Sequence, residues 1–164
     1  MTQAIDPLKR GIGSSARRMR RLMNLWPPLL FAGIRILEWD ADFRRVKVRL
    51  GYYRLNTNYF HTQYGGSLFS MTDPFWSIML LHALGRDYTV WDQRGEIEFV
   101  APGRTAVTTE MTLSAEAVDE VRAAAASGDK VLRWFESEVV DRDGIVVARV
   151  RKQVYVRRKR DIAA

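Results

Sequence analysis

The run from Tyr64 to Leu84 opens with a glycine pair, is apolar on nearly every side and holds a single acid, Asp73. A helix that is apolar all round is a buried helix, not a surface one. An ionisable group inside it costs free energy unless it is paired or used. The rest of the chain therefore has to cover this segment, and Asp73 needs a partner or a task.

On both sides of it the period changes to two. Ile34 and Ile36 alternate with Arg35 and Leu37, and Val46, Val48 and Leu50 alternate with Arg45, Lys47 and Arg49. With the turn residues Asp40-Ala41-Asp42 between them, these runs predict a hairpin. Tyr52 to Gln63 has little periodicity and leads into the glycine pair as a loop. Beyond the helix, Tyr88 to Trp91, Gly95 to Val100 and Val107 to Leu113 read as strands, and Ala115 to Ala126 as a short helix. Val131 to Val140 and Ile145 to Arg157 flank Asp143-Gly144, the strongest hairpin signal in the sequence. Strands joined by hairpins form a largely antiparallel sheet. Its apolar face needs a cover, and the long apolar helix supplies one. The predicted fold class is α+β, a sheet wrapped around a long central helix.

Residues 1–28 read as a separate basic helical extension. Ser14 and Ser15 cap a helix carrying Arg17, Arg18, Arg20 and Arg21, and Pro27 and Pro28 stop it. Residues 29–164 then form the main domain, ending in a short basic tail. The formal charge of +7 over 164 residues suits a polyanionic or phosphate-bearing partner. Aromatic and basic residues are not interleaved as on a stacking platform, so nucleic acid is not the expected partner. The chain has no cysteine, which removes thiolate chemistry, and its two histidines have no neighbouring ligands at metal spacing. Its longest apolar stretch is too short to cross a bilayer and no signal core follows the N-terminus, so a cytoplasmic protein without an integral membrane segment is expected.

At 100 degrees per residue, Gly66, Ser70, Asp73 and Ser77 fall within about 60 degrees of one another. Leu68, Met71, Phe75 and Met79 lie opposite. The one small and polar stripe of a buried helix thus contains its one acid, which suits a narrow groove along the helix. The glycine pair leaves backbone N–H groups at the positive helix end, where an oxyanion is stabilised. The alternative reading starts from Pro74, which disfavours helical geometry at the residue before it and makes Asp73 the N-cap of a helix starting at Pro74. His82 falls on the apolar side and reads as a core histidine.

At these residues the sequence resembles the hotdog-fold acyl-CoA thioesterases, whose motif is His-Gly-Gly at the start of the central helix with an acid further along. Here it is Tyr64-Gly65-Gly66 followed by Asp73. The order of elements over roughly residues 29–157 agrees as well. The basic N-terminal helix lies outside the resemblance, which implies a hotdog fold for the rest of the chain and hydrolysis of an acyl thioester. Gly65 would donate its N–H to the thioester carbonyl, Asp73 would act as base or nucleophile across a dimer interface, and Asn58 would position substrate or water. Tyr64, Gly66, Ser70, Ser77 and His61 would line the substrate. No cofactor is implied beyond the coenzyme A moiety of the substrate, whose phosphates Arg149, Arg151 and Lys152 or the basic tail could reach, and the assembly would be a homodimer or homotetramer. Two alternatives stand beside it: a hotdog hydratase or dehydratase pairing His61 with Asp73, and a non-catalytic acyl-thioester or lipid-binding module.

Overall fold

The computed structural model describes residues 15–159. Helix α1 (Ala16–Asn24) starts where the Ser15 hydroxyl accepts the N–H of Arg18. Helix α2 (Pro27–Ala32) follows at once, and its two prolines open it rather than stop the preceding one. The expected boundary at residues 28 and 29 therefore falls inside a helix. Ala16, Met23 and Leu29 from these helices are buried in the same apolar cluster as the rest of the chain.

Strands β1 (Ile34–Trp39) and β2 (Arg45–Leu50) form the predicted hairpin. After a loop come α3 (Gly65–Ser70) and α4 (Phe75–Leu84), then β3 (Tyr88–Phe99), β4 (Val107–Thr112), α5 (Ala115–Ala124), β5 (Val131–Asp141) and β6 (Val146–Arg158). The strands make one antiparallel sheet in the order β1-β2-β4-β5-β6-β3. Its concave face carries Val46, Val48, Leu50, Val107, Val139, Val150, Val154 and Val156, all essentially inaccessible. Leu68, Met71, Phe75 and Met79 of the central segment pack into it, as their common side predicts.

The central helix is not continuous. Residues 71–74 form a turn between α3 and α4, with the Asp73–Pro74 peptide bond cis. Proline lacks the N–H that the ladder needs and bars the residue before it from helical geometry. Nor is Asp73 an N-cap. That position is taken by Pro74, and no side chain caps α4. Strand β3, expected as two runs, is one strand interrupted by a bulge. Asp92 faces Val154 and Arg94 faces Gln153, so Gln93 is the extra residue.

The two edges of the sheet differ. On β1, the Asn24 side chain accepts the N–H of Ile36 at 2.8 Å and donates to its carbonyl at 3.1 Å. Arg20 donates to the carbonyl of Leu37 just beyond. Side chains of α1 thus occupy the backbone groups that an edge strand leaves open. The other edge is β3, whose residues from Gln93 to Val100 are exposed except Ile97, which is half-buried.

Candidate functional site

Lys152 belongs to the inward-facing row of β6, between Val150 and Val154, and is only 4% exposed. Its ammonium stands 3.0 Å from Oδ1 of Asp73 in the turn between α3 and α4. The Lys152 side chain is 5% exposed and the Asp73 side chain 49%. The pair is therefore anchored at one end and open to solvent at the other. The ring of Phe69 lies beneath the ammonium, 3.9 Å from its centre. That ring reaches its place because Gly95 on β3 has no side chain: a Cβ there would come within 2.4 Å of Phe69 Cζ.

A second carboxylate completes the cluster. Asp92 follows Tyr88 and Val90 on the inward row of β3, next to the bulge. Ser77 of α4 donates from its hydroxyl to Oδ2 of Asp92 at 3.2 Å and is also within 2.9 Å of the Pro74 carbonyl. The other oxygen, Oδ1, is buried with no hydrogen-bond partner. Burial, then the charge of Asp73, raises Asp92 to about 6, while the Lys152 charge opposes the rise.

The glycine pair starts α3, with Tyr64 at the N-cap. The N–H groups of Gly65 and Gly66 precede the first turn and have no acceptor within the helix. Phe99 lies against Gly65, and a Cβ on that residue would come within 2.8 Å of its ring. Tyr64, where the resembled motif has histidine, folds its ring against Gly66. Gly65, Leu68 and Phe99 line a groove of about 380 Å³ whose other wall is formed by Asn58, Thr62, Gln63 and residues 100–103. That volume lies within the range of small-molecule sites.

The predicted site residues divide into three groups. Asp73 and Ser77 meet at the Lys152–Asp92 cluster. Gly65 and Asn58 meet at the groove, where the Asn58 side chain is bonded within its own loop, accepting the N–H groups of Phe60 and Thr62 and donating to the Thr62 hydroxyl. Ser70 stays within α3, its hydroxyl donating to the Gly66 carbonyl at 2.8 Å. His61 is exposed in a shallow surface depression with Arg54, Thr57, Asn58 and Tyr59. Its backbone N–H bonds the Asn58 carbonyl and its own carbonyl accepts the Tyr52 hydroxyl. His82 stacks on Phe43 with ring centres 3.7 Å apart, and burial lowers its pKa.

The expectation that Lys152 meets a phosphate at the surface is corrected by its burial. Arg149 and Arg151 do lie on the outer face of the sheet, each held by two glutamates: Arg149 by Glu138 and Glu98, Arg151 by Glu136 and Glu96. Of the cluster, Asp92 went unassigned in the sequence, and Lys152 was assigned only to a phosphate. The alternation Val150-Lys152-Val154-Val156 and Tyr88-Val90-Asp92 is the signal that puts both on the inner face. Among the described residues there is no group of three or more His, Cys, Asp or Glu able to hold a metal ion, and no helix long and apolar enough to cross a membrane.

Residues 15–156 match the family model described as a domain of unknown function, DUF4442. No curated protein matches the chain. Among solved structures it is similar to a Pseudomonas aeruginosa protein of unknown function described as a probable thioesterase, with 19% identity and a TM-score of 0.76 over 90% of this chain and 99% of that one. It is also similar to the thioesterase HI1161 from Haemophilus influenzae, at 12% identity and a TM-score of 0.66 over 92% and 96% of the two chains. A third is the E. coli PaaI protein from the phenylacetic acid degradation operon, at 16% identity and a TM-score of 0.56 over 87% and 91%. At such identities the likeness is one of fold, and the fold is the hotdog fold that the resemblance at Tyr64-Gly65-Gly66 and Asp73 implies.

Proposed function

The chain belongs to the DUF4442 family, and we propose that it hydrolyses acyl thioesters, acyl-CoAs in particular, with Asp73 as base or nucleophile and the Gly65 N–H polarising the carbonyl. One observation carries the reading: Asp73 is fixed from below by a buried cation yet leaves half its side chain open to a reactant. An acid placed purely for packing has no reason to stay accessible. The hotdog structures described as thioesterases support the same class of chemistry.

In this reading the acyl thioester lies in the groove at the start of α3, its carbonyl oxygen at the N–H of Gly65. With Asp73 as base, water attacks the carbonyl carbon while Asp73 takes its proton. The C–S bond then breaks and the proton passes to the departing thiolate. With Asp73 as nucleophile, its oxygen bonds to the carbonyl carbon as the C–S bond breaks and the thiolate leaves. Water then cleaves the resulting acyl–aspartyl anhydride, restoring the carboxylate and releasing the acid, and the thiolate takes up the proton set free. Leu68 and Phe99 offer apolar contact to the acyl chain, and Asn58 shapes the wall opposite by holding its loop. Tyr64 and Gly66 flank Gly65 at the start of α3, Ser77 supports the acid through Asp92, and Ser70 and His61 would touch the substrate only at its margins.

The Gly65 and Asp73 of a working site come from two protomers of a dimer in this proposal. The open β3 edge supports that assembly, because α1 already occupies the β1 edge. Nothing in the surroundings of His61 favours a hydratase.

The test is free-thiol release from a panel of acyl-CoAs by the purified protein. The expected result is turnover of some chain length, lost in Asp73→Ala. If no acyl-CoA is cleaved, or if Asp73→Ala cleaves as fast as the unaltered protein, the proposal fails. Tight acyl-CoA binding without product would replace it with a binding module.

A further inference from the structure

Two carboxylates, Asp73 and Asp92, compete for the one ammonium of Lys152. Lys152 comes from β6, Asp92 from β3 and Asp73 from the turn between α3 and α4, while α4 adds the Ser77 hydroxyl. Lys152 has three N–H donors; one meets Asp73 Oδ1, and the ring of Phe69 fills the space below. Asp92 has one oxygen on Ser77 and one buried with no partner. A buried carboxylate oxygen without a donor is costly as an anion, and it becomes satisfied by taking up or sharing a proton.

We infer that Asp92 is a positioning residue of the site: ionised, it draws on the Lys152 charge and leaves Asp73 free to act on water, whereas protonated it surrenders that charge to Asp73 and donates its own O–H to it. This deepens the thioester-hydrolase reading and rests on it. The groups that act on Asp92 are Asp73 from the turn, Lys152 from β6 and Ser77 from α4. Burial and the Asp73 charge place the change near pH 6. Protonation then adds a donor to Asp73 at the moment it needs to accept a proton, so hydrolysis slows on the acid side.

Two measurements on the full chain test it. In the first, the carboxyl carbon resonances of labelled aspartates are followed from about pH 4 to about pH 8, with no turnover involved. The expected Asp92 midpoint lies near 6, falls in Asp73→Asn and rises in Lys152→Met. A midpoint that neither substitution moves overturns the coupling. In the second, kcat/KM for a cleaved acyl-CoA is measured against pH. The unaltered protein should lose about tenfold per pH unit below the midpoint. Asp92→Asn, which keeps a permanent donor toward Asp73, should be slow at every pH and lack that limb. Asp92→Asn with normal rates and an unchanged limb overturns the role in hydrolysis. If the unaltered protein cleaves no acyl-CoA, the hydrolase reading fails and this role fails with it, while the resonance measurement still decides the coupling alone.

Discussion

The Lys152 ammonium and the Asp73 carboxylate, 3.0 Å apart, are exposed to very different degrees: 5% of one side chain and 49% of the other. An ion pair of this kind is not symmetric under mutation, because removing either partner strands a charge in a different environment. Removing Asp73 leaves a buried cation whose remaining anion, Asp92, has to ionise in a buried setting to balance it. Removing Lys152 leaves a carboxylate that already faces water, and an Asp92 that can protonate.

Asp73→Ala should therefore be the more destabilising change. Breaking a buried pair costs about 3–5 kcal/mol, and the exposure of Asp73 puts this case at about 3 or less. Lys152→Met fills the same space with an apolar chain between Val150 and Val154 and should cost less than half as much. Urea midpoints of the two variants check this, and a lower midpoint for Lys152→Met would contradict the asymmetry.

Asp92 makes stability depend on pH with a defined sign. Its folded value, about 6, lies above its ordinary value of 3.8, so between those limits the folded protein holds more proton than the unfolded chain. Stability from this group is present at low pH and lost as pH rises from about 4 to about 6. The full interval corresponds to an upper limit of about 3 kcal/mol. Relative to the unaltered protein, Asp92→Asn should thus gain stability steadily over that range and no further above it. Urea titrations at intervals of pH measure the difference, and a difference that stays flat would show that Asp92 titrates normally.

How much of this the sequence contained depends on the range over which each signal acts. The alternation of Val46, Val48 and Leu50, and the Asp143-Gly144 turn, are local and led directly to strands and hairpin. The common side of Leu68, Met71, Phe75 and Met79 correctly marked the core face even though the helix breaks at residues 71–74. Pro74 was legible as a conflict, but which side of it the chain resolved was not. The outcome was a turn that is neither helix nor cap, because Asp73 found a partner on a strand 79 residues away. Such a pair is invisible to any periodicity read over one segment, although the inward register of Lys152 pointed to a buried cation in need of an anion. The arginines misled in the same way, since Arg149 and Arg151 look free along the chain and are engaged by glutamates from neighbouring strands.

The covered edge of β1 yields a prediction about assembly as well as stability. Asn24 makes two hydrogen bonds to the backbone of Ile36, and both are lost in Asn24→Ala. The cost should be about 1–3 kcal/mol, read from the shift in thermal or urea midpoint. The Ile36 amide should also exchange its hydrogen markedly faster, while amides in β5 stay protected. With a second edge open, the variant should associate more readily at high concentration. Light scattering identical to that of the unaltered protein, together with an unchanged midpoint, would mean that the Asn24 contacts add nothing.

Gly95→Ala tests whether the support beneath Lys152 matters. The new methyl would come within 2.4 Å of Phe69 Cζ and 3.3 Å of Lys152 Cδ, so the ring has to move off the ammonium. Overpacking of this type costs about 1–3 kcal/mol. The consequence beyond stability is electrostatic. With Phe69 displaced, the ammonium is less well held over Asp73, and water gains access to the cluster from below. Better hydration of Asp92 favours its ionised form, so its midpoint should fall from about 6 toward the ordinary range. Carboxyl resonances read that fall directly, and Gly65→Ala serves as the comparison. There the methyl meets only the exposed ring of Phe99, and the Asp92 midpoint should stay where it is. Equal midpoints in both variants would separate Phe69 from the electrostatics of the site.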